Sequence, residues 1–203
     1  MTADIEKMYR QIIVHDRDRP LQQIVWRKHP SEKIRTYQLN TITYGTAPAP
    51  YLATRVLNQL ADDEAQNYPL AAPNVKKSFY VDDYLSGDDD EHRLIETNRQ
   101  LIALLRSGGF CLRKWSSNNE KVLAHIPPSL RESRTELEIG KYGPIKTLGL
   151  NWHPSSDHLS FNVPELDSSS QITKRSILSE MSRLFDPLGL VGAAIVAAKL
   201  FLQ

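Results

Sequence analysis

Two adjacent carboxylates, Asp82 and Asp83, stand inside a short apolar run of the sequence, FYVDDYL. The aromatic and β-branched residues around the pair predict a β-hairpin with the acidic residues at its tip. Neighbouring carboxylates on a tight apolar turn repel each other unless a cation compensates their charge, and Mg²⁺ prefers carboxylate oxygens as ligands. The pair therefore indicates a divalent metal site, and the alternative is a solvated turn, which is the usual role of two such residues.

Helical segments are predicted on both sides of this hairpin. Apolar residues recur at helical spacing after Pro48 and Pro50, and a helix tolerates proline in its first turn. A second apolar stripe follows three aspartates, which favour the positive N-terminal end of a helix, and it stops at Gly108 and Gly109. The predicted helices cover residues 50–66, 90–107, 118–125 and a stretch that begins at residue 173.

Short β-rich segments alternate with these helices and predict strands. Residues 1–14 contain a short strand, and residues 68–74 are predicted to be a loop because prolines punctuate this segment. The other predicted strands lie at residues 21–26, 35–44, 77–85, 110–115, 146–152 and 159–163, with a turn at 154–157 between the last two.

Five segments, in order along the chain, resemble the motifs of reverse transcriptases. The segment at residues 79–84 is similar to the YxDD box, and the others are similar to motifs A, B, D and E at residues 4–12, 44–51, 108–114 and 147–150. Three longer strings, TYGTAPAPYLATR, GGFCLRKWSSN and TKRSILSEMSRLFDPLGL, are similar to the polyproteins of BEL/Pao-type retrotransposons. The resemblance covers nearly the whole chain.

The resemblance implies an α+β fold, the polymerase palm. This palm is a ferredoxin-like βαββαβ-type antiparallel sheet with helices on one face, followed by a hairpin and the helical start of the thumb or connection. Residues 1–165 would form the palm with part of the fingers, and residues 166–203 the first thumb or connection helices. Both ends are expected to be truncations within a polyprotein in which protease precedes the polymerase, and RNase H and integrase follow it.

The resemblance also implies roles for individual residues. Asp4 and Asp82 would ligate two Mg²⁺ ions, for which Mn²⁺ can substitute, and Asp83 would support the same metal site. Lys114 would protonate the departing pyrophosphate. The residues expected to contact the incoming nucleotide or the template are Tyr9, Tyr44, Gly45, Pro50, Tyr80 and Val81.

Several of these residues also have plain structural interpretations. Tyr9 suits a buried position in an amphipathic segment, and on periodicity alone that interpretation is favoured. Lys114 suits a solvated strand position or a contact with a backbone phosphate, and Gly45 suits an ordinary turn. Tyr44 departs from the retroviral form of motif B, which has Gln at that position, so the template contact there stays open.

The function implied is that of a reverse transcriptase domain in a retrotransposon polyprotein, which synthesises DNA from dNTPs on a primed RNA or DNA template. The chain alone is expected to be inactive, because the fingers that clamp the triphosphate would precede Asp4. The alternative is a non-catalytic retroelement remnant that at most binds nucleic acid, through Lys76, Lys77, Arg113 and Lys114.

Composition sets few limits on function. The 203 residues carry 25 Lys+Arg against 24 Asp+Glu, a net charge of +1 that neither requires nor excludes a nucleic-acid partner. The single Cys111 cannot form an internal disulfide, and the sequence contains neither a signal-like segment nor an apolar run of about 20 residues. An intracellular, cytoplasmic protein without a membrane partner is expected.

Overall fold

The computed structural model describes residues 1–132, 145–147, 149–160, 173–183, 186 and 189–202. The chain divides into two compact units, Met1–Ser133 and Arg134–Gln203. The boundary predicted between residues 165 and 166 lies outside the described residues, so it stays a prediction.

The first unit is α+β, with antiparallel strands. Its strands and α-helices, in chain order, are β1 (Thr2–Ile5), α1 (Met8–Gln11), β2 (Gln23–Trp26), β3 (Arg35–Gln38), α2 (Ala49–Asp63), α3 (Ala71–Ser78), β4 (Phe79–Tyr80), β5 (Asp83–Leu85), α4 (Glu91–Ser107), β6 (Leu112–Ser116) and α5 (Glu120–Ala124). Strands β4, β5, β1 and β6 form one antiparallel sheet in that spatial order, and β2 and β3 form a separate antiparallel pair.

One face of the four-stranded sheet is part of the hydrophobic core. Ala3 and Ile5 on β1, and Tyr84 on β5, are buried, and their neighbours along each strand point to the opposite face because side chains alternate. Helices α2 and α4 add small and aliphatic residues to the same core at helical spacing, namely Ala49, Ala53, Leu57, Ala61, Leu94, Leu101, Leu104 and Leu105.

Helix α4 has the ends that the sequence predicted. The Asp90 carboxylate accepts hydrogen bonds from the backbone N–H groups of His92 and Arg93, as an N-cap residue does. At the other end, Gly109 has φ 80°, its N–H donates to the Arg106 carbonyl, and the Phe110 N–H donates to the Leu105 carbonyl. These two bonds form a Schellman motif, which requires the left-handed conformation that glycine adopts most readily.

Replacing Gly109 by Ala should therefore lower the free energy of unfolding by roughly 1–2 kcal/mol, the cost of a left-handed L-residue. An added Cβ would meet no atom within 4 Å, so the loss comes from backbone strain and not from a clash. Urea denaturation measures it. The matched control is Gly87→Ala, which also meets open space, and an equal loss in both variants would contradict this explanation.

The predicted loop at residues 68–74 is partly wrong, because α3 begins at Ala71. Pro73 is the third residue of this helix, where the backbone N–H has no intrahelical partner and proline costs little. Burial of Ala71, Ala72 and Val75 in the core stabilises the helix. The strand predicted from residue 77 accordingly begins only at Phe79.

The second unit contains β7 (Ile145–Thr147), β8 (Leu150–His153), β9 (His158–Ser160), α6 (Lys174–Arg183) and α7 (Gly192–Leu202). The predicted hairpin arm at residues 146–152 is two strands, paired antiparallel, with Gly149 at φ 80° in the turn between them. The turn predicted at 154–157 joins β8 to β9, whereas residues 161–163 of the predicted arm lie outside the described residues. In the described part of the chain, no helix is both long and apolar enough to cross a membrane.

Candidate active site

The acidic hairpin predicted from the sequence is confirmed. Phe79 pairs with Tyr84 and Tyr80 pairs with Asp83, which leaves Val81 and Asp82 as a two-residue turn. Val81 has φ 57°, a left-handed conformation that is unusual for a β-branched residue and that marks local strain. The strained turn places the Asp82 carboxylate at the tip of the hairpin.

Strand β1 brings a third carboxylate to this turn. Asp4 lies directly opposite Asp83 in the β1–β5 register, and the Ile5 N–H donates a 2.9 Å hydrogen bond to the Asp82 carbonyl. Residues opposite each other in an antiparallel pair project from the same face, so Asp4 and Asp83 share the face away from the buried Tyr84. The strand pairing therefore brings Asp4 to the adjacent carboxylates Asp82 and Asp83, which lie far along the sequence from it.

Electrostatics within this cluster oppose its full ionisation. Partial burial raises the pKa of Asp4, and the charges of Asp82 and Glu6 raise it further, although nearby Lys114 lowers it. Partial burial likewise raises the pKa of Asp83, with additional repulsion from Asp82 and Asp4. A bound cation would relieve this repulsion.

Lys114 is the nearest cation, and a β-bulge aims it at the cluster. Thr2 pairs with Ser116 while Asp4 pairs with Arg113, so β6 has one more residue than β1 between these pairs. Lys114 adopts φ 54° in the bulge and places its Nζ 3.4 Å from Asp4 Oδ2. Bulges beside functional sites commonly redirect a side chain in this way.

Two tyrosines lie beside the acidic turn. The rings of Tyr9 and Tyr44 meet edge to face, with centroids 4.7 Å apart. Burial raises the pKa of Tyr9, and the charge of Asp82 and the neighbouring Tyr44 raise it further. The structure thus brings Tyr9 and Tyr44 together, with Tyr9 near enough to Asp82 to be affected by its charge, and their contact with a nucleotide or template stays a prediction.

The other residues predicted to contact the nucleotide or the template lie at exposed or turn positions. Gly45 has φ 82° and open space around it, so its glycine is explained by the turn and not by a close approach of another group. Pro50 is exposed in the first turn of α2, and Tyr80 is 69% exposed on the hairpin. These positions do not by themselves indicate a binding role.

Sequence reasoning missed Glu6 as a member of this site. Its Oε2 lies 2.8 Å from Arg113 Nε, and its charge raises the pKa of Asp4. Glu6 directly follows β1, and its ion pair with Arg113 depends on the pairing of β1 with β6, for which a single sequence has no signal. Three of the four cations proposed for simple nucleic-acid binding are ion-paired in the described structure: Lys76 with Asp62, Arg113 with Glu6 and Lys114 with Asp4.

Replacing Asp83 by Asn should stabilise the metal-free protein at neutral pH. A raised carboxyl pKa in the folded state means that ionisation disfavours folding, so the penalty is present above the folded pKa and disappears as the pH falls past 3.8, the ordinary value. Thermal unfolding in EDTA should give a higher midpoint for Asp83→Asn at pH 7, with a gain that shrinks toward pH 4. Exposed Asp89→Asn is the matched control; a pH-independent gain would contradict the assignment.

Comparison with protein families agrees with this geometry. Residues 1–151 match the family described as reverse transcriptase (RNA-dependent DNA polymerase). Because this match spans well over half of the 203 residues, the chain belongs to the reverse transcriptase family, whose members are RNA-directed DNA polymerases.

A second family match indicates the kind of retroelement. Residues 173–203 match the family described as Pao retrotransposon-like RNaseH-like domain, in agreement with the resemblance to BEL/Pao retrotransposons and with a polyprotein context. This match brings an RNase H description into the stretch that the sequence assigned to thumb or connection helices, whereas RNase H was expected to follow that stretch. No curated protein matches the chain.

Proposed function

We propose that the first unit is a polymerase palm that performs template-directed DNA synthesis from dNTPs, with Asp4 and Asp82 as the metal-binding carboxylates and Asp83 in support. The observation that carries the proposal is the β1–β5 register, which sets Asp4 opposite Asp83 and joins Ile5 to Asp82. The segment similar to motif A, which contains Asp4, and the segment similar to the YxDD box, which contains Asp82 and Asp83, meet at this register.

The strand order supports the palm assignment. Along the chain the sheet is built from β1, then α2 and α3, then the β4–β5 hairpin, then α4 and finally β6. The spatial order β4-β5-β1-β6 with every pair antiparallel is the one expected of a βαββαβ-type sheet. In this arrangement β1 and β5, the strands that carry Asp4 and Asp83, are the two central strands.

The donor set suits Mg²⁺, or Mn²⁺ in its place. Among the described residues, no group of three or more His, Cys, Asp or Glu side chains is arranged to hold a metal ion. Mg²⁺ in nucleotide-handling sites is commonly held by one or two carboxylates, with substrate phosphates and water completing the shell. Asp4 and Asp82 fit that pattern, and a pair of such ions would neutralise charge on the attacking and leaving oxygens.

Other side chains would position the substrate. Tyr9, held edge to face by Tyr44, would lie beneath the incoming sugar and exclude a 2′-hydroxyl, so deoxynucleotides are favoured. Lys114 is 64% exposed at the side chain and would donate a proton to the departing pyrophosphate. The turn and strand residues Gly45, Pro50, Tyr80 and Val81 would form the surrounding nucleotide and template surface.

Primer extension tests the proposed function. A polyprotein that contains this domain should extend a DNA primer on an RNA template with dNTPs and Mg²⁺, and EDTA should abolish the reaction. The isolated 203-residue chain is expected to be inactive in the same assay. Salt-dependent binding of primer and template by the polyprotein without extension would instead support the non-catalytic remnant.

A further inference from the structure

The β2–β3 hairpin of the first unit is exposed along its whole length and is not part of the candidate active site. Every residue from 23 to 38 is exposed, including Trp26 at 52% and Tyr37 at 40%. An isolated two-stranded hairpin is marginally stable, and exposed aromatic rings commonly mark a binding surface. These features indicate that the hairpin binds a ligand or a partner.

One face of the hairpin carries two aromatic rings, one aliphatic side chain and one cation. Ile24 pairs with Tyr37 and Trp26 pairs with Arg35, and these four residues project from the same face, which we call the stacking face. The Trp26 and Tyr37 rings meet edge to face with centroids 6.1 Å apart. The opposite face presents the paired residues Val25 and Thr36 and the paired glutamines at 23 and 38.

The hairpin is also cationic. Between residues 24 and 38 the sequence has four cations and one acidic residue, namely Arg27, Lys28, Lys33 and Arg35 against Glu32. In the described structure, none of the four cations forms an ion pair. Their charge is therefore available to an anionic ligand, in contrast to that of Lys76, Arg113 and Lys114.

The base of the hairpin is fixed to the segment that carries the two tyrosines of the candidate site. The Val14 N–H donates to the Asn40 carbonyl at 2.9 Å, and the Ile42 N–H donates to the Ile12 carbonyl at 3.0 Å. In sequence, the hairpin thus lies between Tyr9 and Tyr44.

We infer that the stacking face binds single-stranded nucleic acid, with bases stacked on Trp26 and Tyr37 and phosphates held by Arg35 and the neighbouring cations. This inference rests on the proposed function, because it makes the hairpin a platform for the unpaired template strand. Aromatic side chains interleaved with cations are the usual means of binding single strands without reading their sequence. Charge complementarity favours this ligand over an apolar protein partner, which would leave the four cations unpaired.

Binding of a fluorescein-labelled oligouridylate of about 12 nucleotides to the 203-residue chain, measured by anisotropy, tests the platform. Trp26→Leu keeps an apolar strand residue but removes the stacking surface, and Arg35→Gln removes the charge. Each substitution should weaken binding by roughly 10-fold, and added salt should weaken wild-type binding. Val25→Leu, on the opposite face, should bind as the wild type does, and circular dichroism should show all variants folded.

Unchanged binding by Trp26→Leu would overturn the inference, as would equal losses in Trp26→Leu and Val25→Leu. Self-association that persists in Trp26→Leu, with no oligonucleotide binding by the wild type, would identify an apolar docking face and would also overturn it. The stacking-face proposal and the active-site proposal can each be contradicted without the other. Normal oligonucleotide binding by Trp26→Leu alongside primer extension that requires Asp82 rejects only the platform, whereas extension that survives Asp82→Asn rejects only the active-site assignment.

Discussion

Replacing Asp82 by Asn in the polyprotein that contains this domain is expected to lower dNTP incorporation by about 10³-fold, the scale of losing one preorganised electrostatic group at a reacting centre. Asn is nearly isosteric with Asp, so the hairpin turn should keep its shape while the site loses one negative charge. Single-turnover primer extension on an RNA template, with Mg²⁺ and then with Mn²⁺, measures the loss.

A matched control separates lost charge from general damage. Asp89→Asn makes the same chemical change seven residues further along, at an exposed position outside the sheet, and should extend primers as the wild type does. Asp4→Asn should behave like Asp82→Asn, because β1 sets it beside the same turn. Extension by Asp82→Asn within a few-fold of the wild type would show that this carboxylate does not hold a required metal.

Replacing Tyr84 by Ala should cost about 3–5 kcal/mol of unfolding free energy, the range for removing a large buried aromatic side chain. Tyr84 is fully buried, and its ring packs against those of Phe79 and Trp115 at centroid distances of 5.1 and 5.7 Å. Burial raises its pKa to about 12, so the phenol is neutral at physiological pH. Urea denaturation of the 203-residue chain measures the loss.

Tyr84→Phe divides this effect into packing and hydrogen bonding. The Tyr84 hydroxyl lies 3.2 Å from Asn98 Oδ1 and 3.3 Å from Asn74 Oδ1, so the Phe variant leaves the buried Asn98 oxygen without this donor at a cost of about 1–2 kcal/mol. Tyr80→Ala, at the exposed end of the same hairpin, should change stability by less than about 0.5 kcal/mol. Equal losses at Tyr80 and Tyr84 would contradict the assignment of Tyr84 to the core.

The sequence predicted those parts of the fold that depend on local chemistry. The acidic hairpin and the two ends of α4, at the three aspartates and at Gly108 and Gly109, each follow from a few neighbouring residues, and each lies where it was predicted. The start of α3 could not be predicted in this way. Its alanines have no strong periodic pattern, and the helix is stabilised by burial against distant residues.

The candidate site shows the same division between local and long-range information. Asp82 and Asp83 were identified from their own turn, whereas the contact between Asp4 and that turn depends on strand pairing across 78 residues and was implied only by the family resemblance. The bulge that aims Lys114 at Asp4 arises from an extra residue between two paired positions. Such a register shift has no signature in one sequence, because it is set by both strands together.

The family membership and the geometry bear on different claims. The match over residues 1–151 establishes the reverse transcriptase family but assigns no role to any single side chain. The roles proposed for Asp4 and Asp83 rest on their shared sheet face, and that of Asp82 on the adjoining turn. Partial burial raises the pKa values of Asp4 and Asp83, and repulsion between the carboxylates raises them further. A cation that binds there should remove this repulsion and stabilise the fold, which gives a readout independent of catalysis.

The most direct test of the two-aspartate metal site is Mn²⁺ binding to the 203-residue chain. The electron paramagnetic resonance signal of the free ion measures this binding. Wild-type protein and Asp89→Asn should reduce this signal equally and show a raised thermal midpoint with Mn²⁺. Asp4→Asn and Asp82→Asn should each lose most of both effects. Equal Mn²⁺ binding by all four proteins, or none by the wild type, would contradict the assignment of Asp4 and Asp82 as the metal-binding pair.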